Sequence, residues 1–299
     1  MNEKKIGIVG LGAMGLGMAK SLRRAGYNVH VFDLRPEVVQ TFAAEGGVAC
    51  KSPAELASTC DVLISVVVNA AQTEGVLFGE DGAAAAMQPG SVFVMCSTVD
   101  PEWSAALEKR LAEKNILYLD APISGGAARA AKGEITMMTS GHPDAYSKVG
   151  GALDAMAAKV YRLGAAAGNG SKVKIINQLL AGVHIAAAAE AMALGLRQGV
   201  DPAALYEVIT HSAGNSWMFE NRMAHVLAGD YTPLSAVEIF VKDLGIVLDM
   251  ARSERYPVPL AAAALQMYLA TSGAGYGRDD DSSVARVYAQ LSGVKLPEK

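Results

Sequence analysis

At 299 residues the chain is long for one hydrophobic core and comfortable for two domains. It is 51% hydrophobic but only 6% aromatic, with 31 glycines and 19% charged residues, an aliphatic weight that excludes a disordered chain. The formal net charge of −4 supplies no basic face, so nucleic acid is not expected among its partners.

Taken in chain order, Met1-Asn2-Glu3-Lys4-Lys5 places charge ahead of Ile6-Gly7-Ile8-Val9-Gly10-Leu11-Gly12. That run is too short and glycine-rich for a signal-peptide core, and it reads as a first strand. Further short apolar runs at residues 29–32, 62–68, 91–95 and 116–120 predict strands buried on both faces of a parallel sheet. Runs at 135–139 and 160–163 extend it. Between them, helices are predicted at 13–25, 36–44, 70–77 and 101–114, two of them opened by Pro36 and Pro101. The alternation implies an α/β, Rossmann-type doubly wound sheet.

After Gly168-Asn169-Gly170 the texture changes. A long helix from Ser171 to about Gln198 precedes further helices, separated at Asp201-Pro202, Gly214-Asn215, 229–233, 256–259 and 273–281. The expected division is therefore residues 1–167, the α/β domain, and 168–299, an all-α domain. Residues 179–196 are apolar enough to suggest a membrane span, yet they contain His184 and Glu190 between Lys174 and Arg197; a buried core helix is expected, and no membrane partner. The three cysteines, Cys50, Cys60 and Cys96, form no CxxC pair. This predicts neither disulfide nor zinc cluster and suits a reducing cytoplasm. His184 and His211 have no clustered carboxylate or second histidine, so no metal is expected.

Gly10-Leu11-Gly12-Ala13-Met14-Gly15 fits G-x-G-x-x-G in the context the motif requires, after a strand and opening a helix. The glycines permit a tight turn, close backbone approach to a pyrophosphate and close helix–strand packing. Asp33 ends the second strand, where an acid binds both hydroxyls of an adenosine ribose. NAD is expected rather than NADP, although Arg35, two residues on, is a group able to serve a 2′-phosphate. Ser97-Thr98 follows another strand and is expected on the nicotinamide side. Ser124-Gly125-Gly126, between a strand end and a helix start, offers a serine hydroxyl and successive N–H groups as a carboxylate nest, or a plain helix cap.

Four ordered blocks resemble the β-hydroxyacid dehydrogenase family, the 3-hydroxyisobutyrate dehydrogenase group. They are the run Gly10 to Ala19, Asp120-Ala121-Pro122-Ile123-Ser124-Gly125-Gly126, Gly168-Asn169-Gly170-Ser171-Lys172-Val173-Lys174, and Lys242-Asp243-Leu244. The resemblance implies, in that order, cofactor, substrate, catalytic and C-terminal cofactor contacts. Val67-Val68-Asn69-Ala70-Ala71-Gln72, the run Leu179 to Ala186, the run Gly214 to Arg222, and Ala274-Gly275-Tyr276-Gly277 with its following acidic cluster resemble the branch acting on L-threonate. This implies oxidation of a small hydroxy acid at C2, with Val67 and Val68 against the cofactor. Other substrates in the family's range are 3-hydroxyisobutyrate and tartronate semialdehyde, and a non-catalytic dinucleotide-binding module is the reading outside the enzyme class.

Removing hydride from a carbinol carbon requires a base for the hydroxyl proton. Lys172 and Lys174 are two apart and point to different faces of a helix, and the residues alone leave both open; the family spacing selects Lys174. Four residues on, where the family carries Asn, this chain has Asn177-Gln178, either of which is a candidate for the substrate hydroxyl. Lys242 resembles the family's cofactor-contacting lysine. Trp217 and Phe219 are candidates for a substrate pocket, a core or a subunit interface. The alanine-rich helix from Ser171 suggests close packing against a second subunit, hence a homodimer or homotetramer.

Overall fold

The computed structural model describes residues 2–299, with side chains from Lys5 onward. Met1 and the side chains of residues 2–4, part of the charged run read above, lie outside the described residues. The chain divides into two compact units, the first ending at Lys174 and the second formed by Ile175–Lys299.

In the first unit, β1 (Asn2–Val9), β2 (Tyr27–Phe32), β3 (Val48–Ala49), β4 (Val62–Ser65), β5 (Val92–Met95) and β6 (Leu117–Asp120) run parallel. Their order is β3-β2-β1-β4-β5-β6, so the chain reverses its direction of travel across the sheet between β1 and β4. This is the switch point of a doubly wound Rossmann-type fold, outside which ligands bind at the strands' carboxyl ends. Every residue of β4 and β5 is buried, because helices cover both faces. Alternate side chains feed two apolar layers: Ile8, Ile64 and Val94 enter one with Met18 and Leu22, while Leu63 and Phe93 enter the other with Leu56 and Leu107.

The covering helices are α1 (Gly15–Arg24), α2 (Pro36–Ala44), α3 (Pro53–Thr59), α4 (Ala70–Phe78) and α5 (Pro101–Ala112). Beyond β6 come β7 (Ile123–Ser124), α6 (Gly126–Lys132), β8 (Ile135–Gly141), α7 (Pro143–Met156) and β9 (Ala157–Arg162). β8 pairs antiparallel with β6 and β7, and parallel with β9.

The strand expected over residues 62–68 is shorter. β4 stops at Ser65, and the Val66 N–H makes the last strand-like bond, 2.8 Å to the Val9 carbonyl. Val67 and Val68 then form a loop fixed by reciprocal capping. Asn69 Oδ1 accepts the Gln72 N–H at 2.8 Å, and Gln72 Oε1 accepts the Val68 N–H at 2.8 Å. Those two bonds stabilise the loop rather than the strand.

The second unit is all helical. The long helix α8 (Asn169–Arg197) leads into it, followed by α9 (Pro202–Thr210), α10 (Trp217–Ala228), α11 (Val237–Ser253), α12 (Pro259–Thr271) and α13 (Val284–Ser292). By length and composition α8 is apolar enough to cross a bilayer. Its Ile175, Ile185, Ala189 and Met192 are nevertheless fully buried in the helical unit's core. There Phe240 and Tyr268 stack 5.2 Å apart, and the Tyr268 hydroxyl donates to the Gly182 carbonyl at 3.1 Å. A Cβ at Gly182 would lie 3.0 Å from Phe240, so the absent side chain is what admits the ring. Burial of each such side chain is worth about 1.5–3 kcal/mol. Phe219 joins this core, whereas Trp217, at the start of α10, is 51% exposed.

Candidate active site

The β1–α1 turn packs tightly against its neighbours at Gly10 and Gly15 and is open at Gly12. Gly10 has φ +91°, and a Cβ there would meet the Val66 carbonyl oxygen at 2.6 Å. A Cβ at Gly15 would lie 1.9 Å from the Gly10 carbonyl oxygen, so the helix can start this near the strand only with glycine. At Gly12, by contrast, a Cβ would meet nothing within 4 Å: the turn is open where a ligand's phosphates would approach. Leu11 is buried below it, while Ala13 and Met14 carry the chain into α1.

Asp33, one residue past β2, is tied to this turn. Its carboxylate accepts the Leu11 N–H at 2.6 Å, the Arg35 N–H at 2.9 Å, and the Arg35 guanidinium at 2.9 and 3.1 Å. The same guanidinium donates to the Leu11 carbonyl at 3.1 Å. Burial pushes the carboxyl group up, but these donors and the guanidinium charge outweigh it and hold Asp33 below the usual carboxylate range. A cavity of about 750 Å³ opens here, lined among others by Gly10, Gly12, Asp33, Arg35, Val67 and Val68. Both valines of the shortened strand thus line the space beside the glycine turn. An open glycine turn, an ionised acid at the neighbouring strand end and an apolar cavity together fit the adenosine half of a dinucleotide.

Losing one charged hydrogen bond costs about 1.5–3 kcal/mol. Asp33→Ala is therefore expected to lower kcat/KM for NAD by about 10- to 100-fold, with a smaller loss for NADP because Arg35 is released. Initial rates with both cofactors check this; an unchanged NAD-to-NADP preference would remove Asp33 from ribose recognition.

Thr98 is half-buried just past β5, at the carboxyl end of the sheet. Its neighbour Ser97 is buried and donates to the Val67 carbonyl at 2.8 Å, tying the segment after β5 to the Val67–Val68 loop. Ser124 closes β7, and Gly125 and Gly126 follow with φ of +134° and +78°. Gly125 occupies the cap position of α6 with no side-chain cap bond, so Ser124 does not cap that helix.

On α8, Lys174 is only 7% exposed, whereas Lys172 is on the exposed side. The structure therefore separates the two lysines that the residues alone left equivalent. In the second unit, Gln178 is buried and its Nε2 donates to Asp243 Oδ2 at 2.6 Å, while Asn177 Nδ2 donates to Gln178 Oε1 at 3.0 Å. Asp243, 1% exposed on α11, also pairs with the ammonium of Lys242. Within the second unit, Asn177 and Gln178 of α8 thus meet Asp243 and Lys242 of α11. Asp243 is the member that residue-by-residue reading assigned no role; its only signal was its place after Lys242.

Comparison with known proteins identifies the family. A family model for the NAD-binding domain of 6-phosphogluconate dehydrogenase matches residues 5–164, and one for the NAD-binding region of NADP-dependent 3-hydroxyisobutyrate dehydrogenase matches 168–288. An L-threonate dehydrogenase of Cupriavidus necator is 67% identical over 99% of both chains. One from Escherichia coli is 50% identical over 99% of this chain and 97% of its own length. The crystal structure of a 3-hydroxyisobutyrate dehydrogenase from Salmonella typhimurium superposes with a TM-score of 0.92 at 52% identity, over 95% of this chain and all of that one. With its NAD-binding Rossmann unit, its helical second unit and full-length likeness to these enzymes, the chain belongs to the β-hydroxyacid dehydrogenase family, oxidoreductases of the 3-hydroxyisobutyrate dehydrogenase group.

Proposed function

We propose that the protein oxidises the C2 hydroxyl of L-threonate to the 2-oxo acid, with NAD as oxidant and Lys174 as general acid/base. The observation that carries the chemistry is the burial of Lys174 on α8, one turn before the Gln178–Asp243 hydrogen bond. The substrate is supported by the L-threonate dehydrogenases 67% and 50% identical to this chain. Bound NAD supplies the acceptor for the hydride leaving C2. The turn from Gly10 to Gly15, Asp33, Val67, Val68, Thr98 and Lys242 would hold it. As the C2–O bond becomes a carbonyl, the amine of Lys174 takes the hydroxyl proton; in reduction it returns that proton. Ser124 and the backbone of Gly125 and Gly126 receive the substrate carboxylate, and Gln178, with Asn177 as its partner, receives a hydroxyl.

Likeness to the 3-hydroxyisobutyrate dehydrogenase of Salmonella typhimurium favours 3-hydroxyisobutyrate as the second reading. A panel of L-threonate, D-threonate, erythronate, glycerate and 3-hydroxyisobutyrate with NAD and NADP decides between them. L-threonate with NAD is expected to have the highest kcat/KM, and a higher value for 3-hydroxyisobutyrate would overturn the substrate assignment.

The enzyme is further proposed to be a cytoplasmic homodimer or homotetramer. Cys50, Cys60 and Cys96 are all unpaired and buried, as suits a reducing compartment. Ile176, Leu180 and Leu194 leave an apolar stripe on α8 exposed by 54%, 51% and 60%, a surface suited to a second copy. Light scattering is expected to give a mass of at least two chains, and a monomeric mass at micromolar concentration would exclude the oligomer.

A further inference from the structure

We propose that Asp120 is a positioning residue for catalysis, fixing the first turn of α8, and with it Lys174, against the sheet. Asp120 ends β6 and is fully buried. Oδ2 accepts the Gly168 N–H at 3.0 Å, the Ser171 N–H at 2.9 Å and the Ser140 hydroxyl at 3.1 Å; Oδ1 accepts the Ser171 hydroxyl at 2.7 Å. Ser140, its register partner on β8, accepts the Gly170 N–H at 2.9 Å, which commits the serine proton to Asp120. One carboxylate and one serine on adjacent strands thus satisfy the N–H groups of Gly168, Gly170 and Ser171, donors that a helix start otherwise leaves unpaired.

All four contacts to Asp120 are donors, so the arrangement is that of an ionised carboxylate at the positive end of the helix dipole. Burial raises its carboxyl pKa, and the donors from Ser171, Gly168 and Ser140 oppose that rise. The titratable groups that sense its charge are Cys96, Tyr118 and Tyr146, each pushed up by burial and hence neutral at pH 7. The fit is close: a Cβ on Gly170 would lie 2.4 Å from the Met138 carbonyl oxygen and 3.0 Å from Asp120 Oδ2. Lys174 stands four residues after Gly170 and three after Ser171, on the same side of the helix. Whatever sets the height and rotation of this turn therefore sets the lysine.

The inference rests on Lys174 being the acid/base group, and its test separates the two. Asp120→Asn keeps the shape but replaces one acceptor oxygen with a donor and removes the charge. Expected is a fall in kcat of about 10- to 100-fold, as for a small misplacement of a catalytic group, with KM for NAD within about twofold. With ¹³C-labelled lysine NMR, assigned through Lys174→Arg, the Lys174 side-chain signal is expected to change its chemical shift in Asp120→Asn, because the turn that carries it is no longer held in one place. Ser171→Ala, which leaves the charge, is expected to lower kcat by about 3-fold by removing one charge-assisted bond. An Asp120→Asn enzyme with wild-type kcat would overturn the proposal, as would a fall in kcat with the Lys174 signal unmoved, which would mean that the place of the lysine does not depend on Asp120. If Asp120→Asn does not fold, wild-type kcat in Ser171→Ala overturns it. The NMR measurement needs no turnover, so it stands even if L-threonate is not the substrate.

Discussion

Lys174→Ala is expected to lower kcat by about 10²- to 10⁴-fold, the range that a positioned general acid/base contributes, while KM for NAD stays within about twofold. The expectation is tied to placement. Lys174 is 7% exposed, and burial of an ammonium is unfavourable unless the fold provides for it. Lys172, two residues earlier on the same helix, is exposed and serves as the internal control: Lys172→Ala is expected to change kcat by less than about twofold, as surface substitutions usually do. Lys174→Arg sharpens the assignment, because a guanidinium keeps the charge but remains protonated at any working pH. It is expected to lose activity nearly as far as alanine does, whereas a lysine needed only for its charge would be rescued. Steady-state rates in both directions, with folding checked by circular dichroism, measure all three. Full turnover of every accepted hydroxy acid by Lys174→Ala would remove the residue from the mechanism.

The parts legible in the sequence are those encoded by neighbours in the chain. Gly10, Gly12 and Gly15 announce their turn by spacing, Asp33 its place by ending a β-branched run, and the helices beyond α8 their ends by glycine and proline. Two-residue strands such as β3 and β7 are too short to leave a pattern. α3 did carry a local signal, Ser52 capping the Glu55 N–H at 3.1 Å, yet its seven residues show little periodicity. What remained hidden are pairings across long separations: Gln178 with Asp243, 65 residues apart, and Ser171 with Asp120, 51 apart. Such contacts are set by strand order and helix packing, so nothing in the local pattern marks them. The overrun of the strand expected at 62–68 has the same origin. Val66-Val67-Val68 has the composition of a strand, but the Asn69 and Gln72 side chains capture the backbone first.

The acidic run Asp279-Asp280-Asp281, read in the sequence only as a mark of resemblance, carries the largest expected effect on stability. Asp281 is fully buried and holds the nearly buried Arg222 of α10 through two bonds, from Nε to Oδ1 and, at 3.1 Å, from Nη2 to Oδ2. Asp280 beside it accepts the Leu234 N–H at 2.9 Å and the Ser282 hydroxyl at 2.6 Å, pinning the segment before α13. Breaking a buried pair by removing one partner costs about 3–5 kcal/mol, because the other charge stays without compensation. Arg222→Met is expected to lower the stability of the helical unit by that amount, read as a lower urea midpoint with little change in slope. The double variant Arg222→Met, Asp281→Leu removes both charges and is expected to recover at least half of the loss. The pH dependence follows from the same burial. Asp281 is pushed up to about 6 by desolvation, with the Arg222 charge and hydrogen bonds acting against the rise. Between the ordinary value of 3.8 and about 6, the folded chain holds a proton that the unfolded chain has released, so this group makes folding less favourable as pH rises through that window. Without Arg222 the opposing charge is gone and the window extends upward. The deficit of Arg222→Met relative to wild type should therefore be larger at pH 7 than at pH 5. Urea unfolding at the two pH values tests it, and an equal deficit at both would show that Asp281 is not the charge left behind.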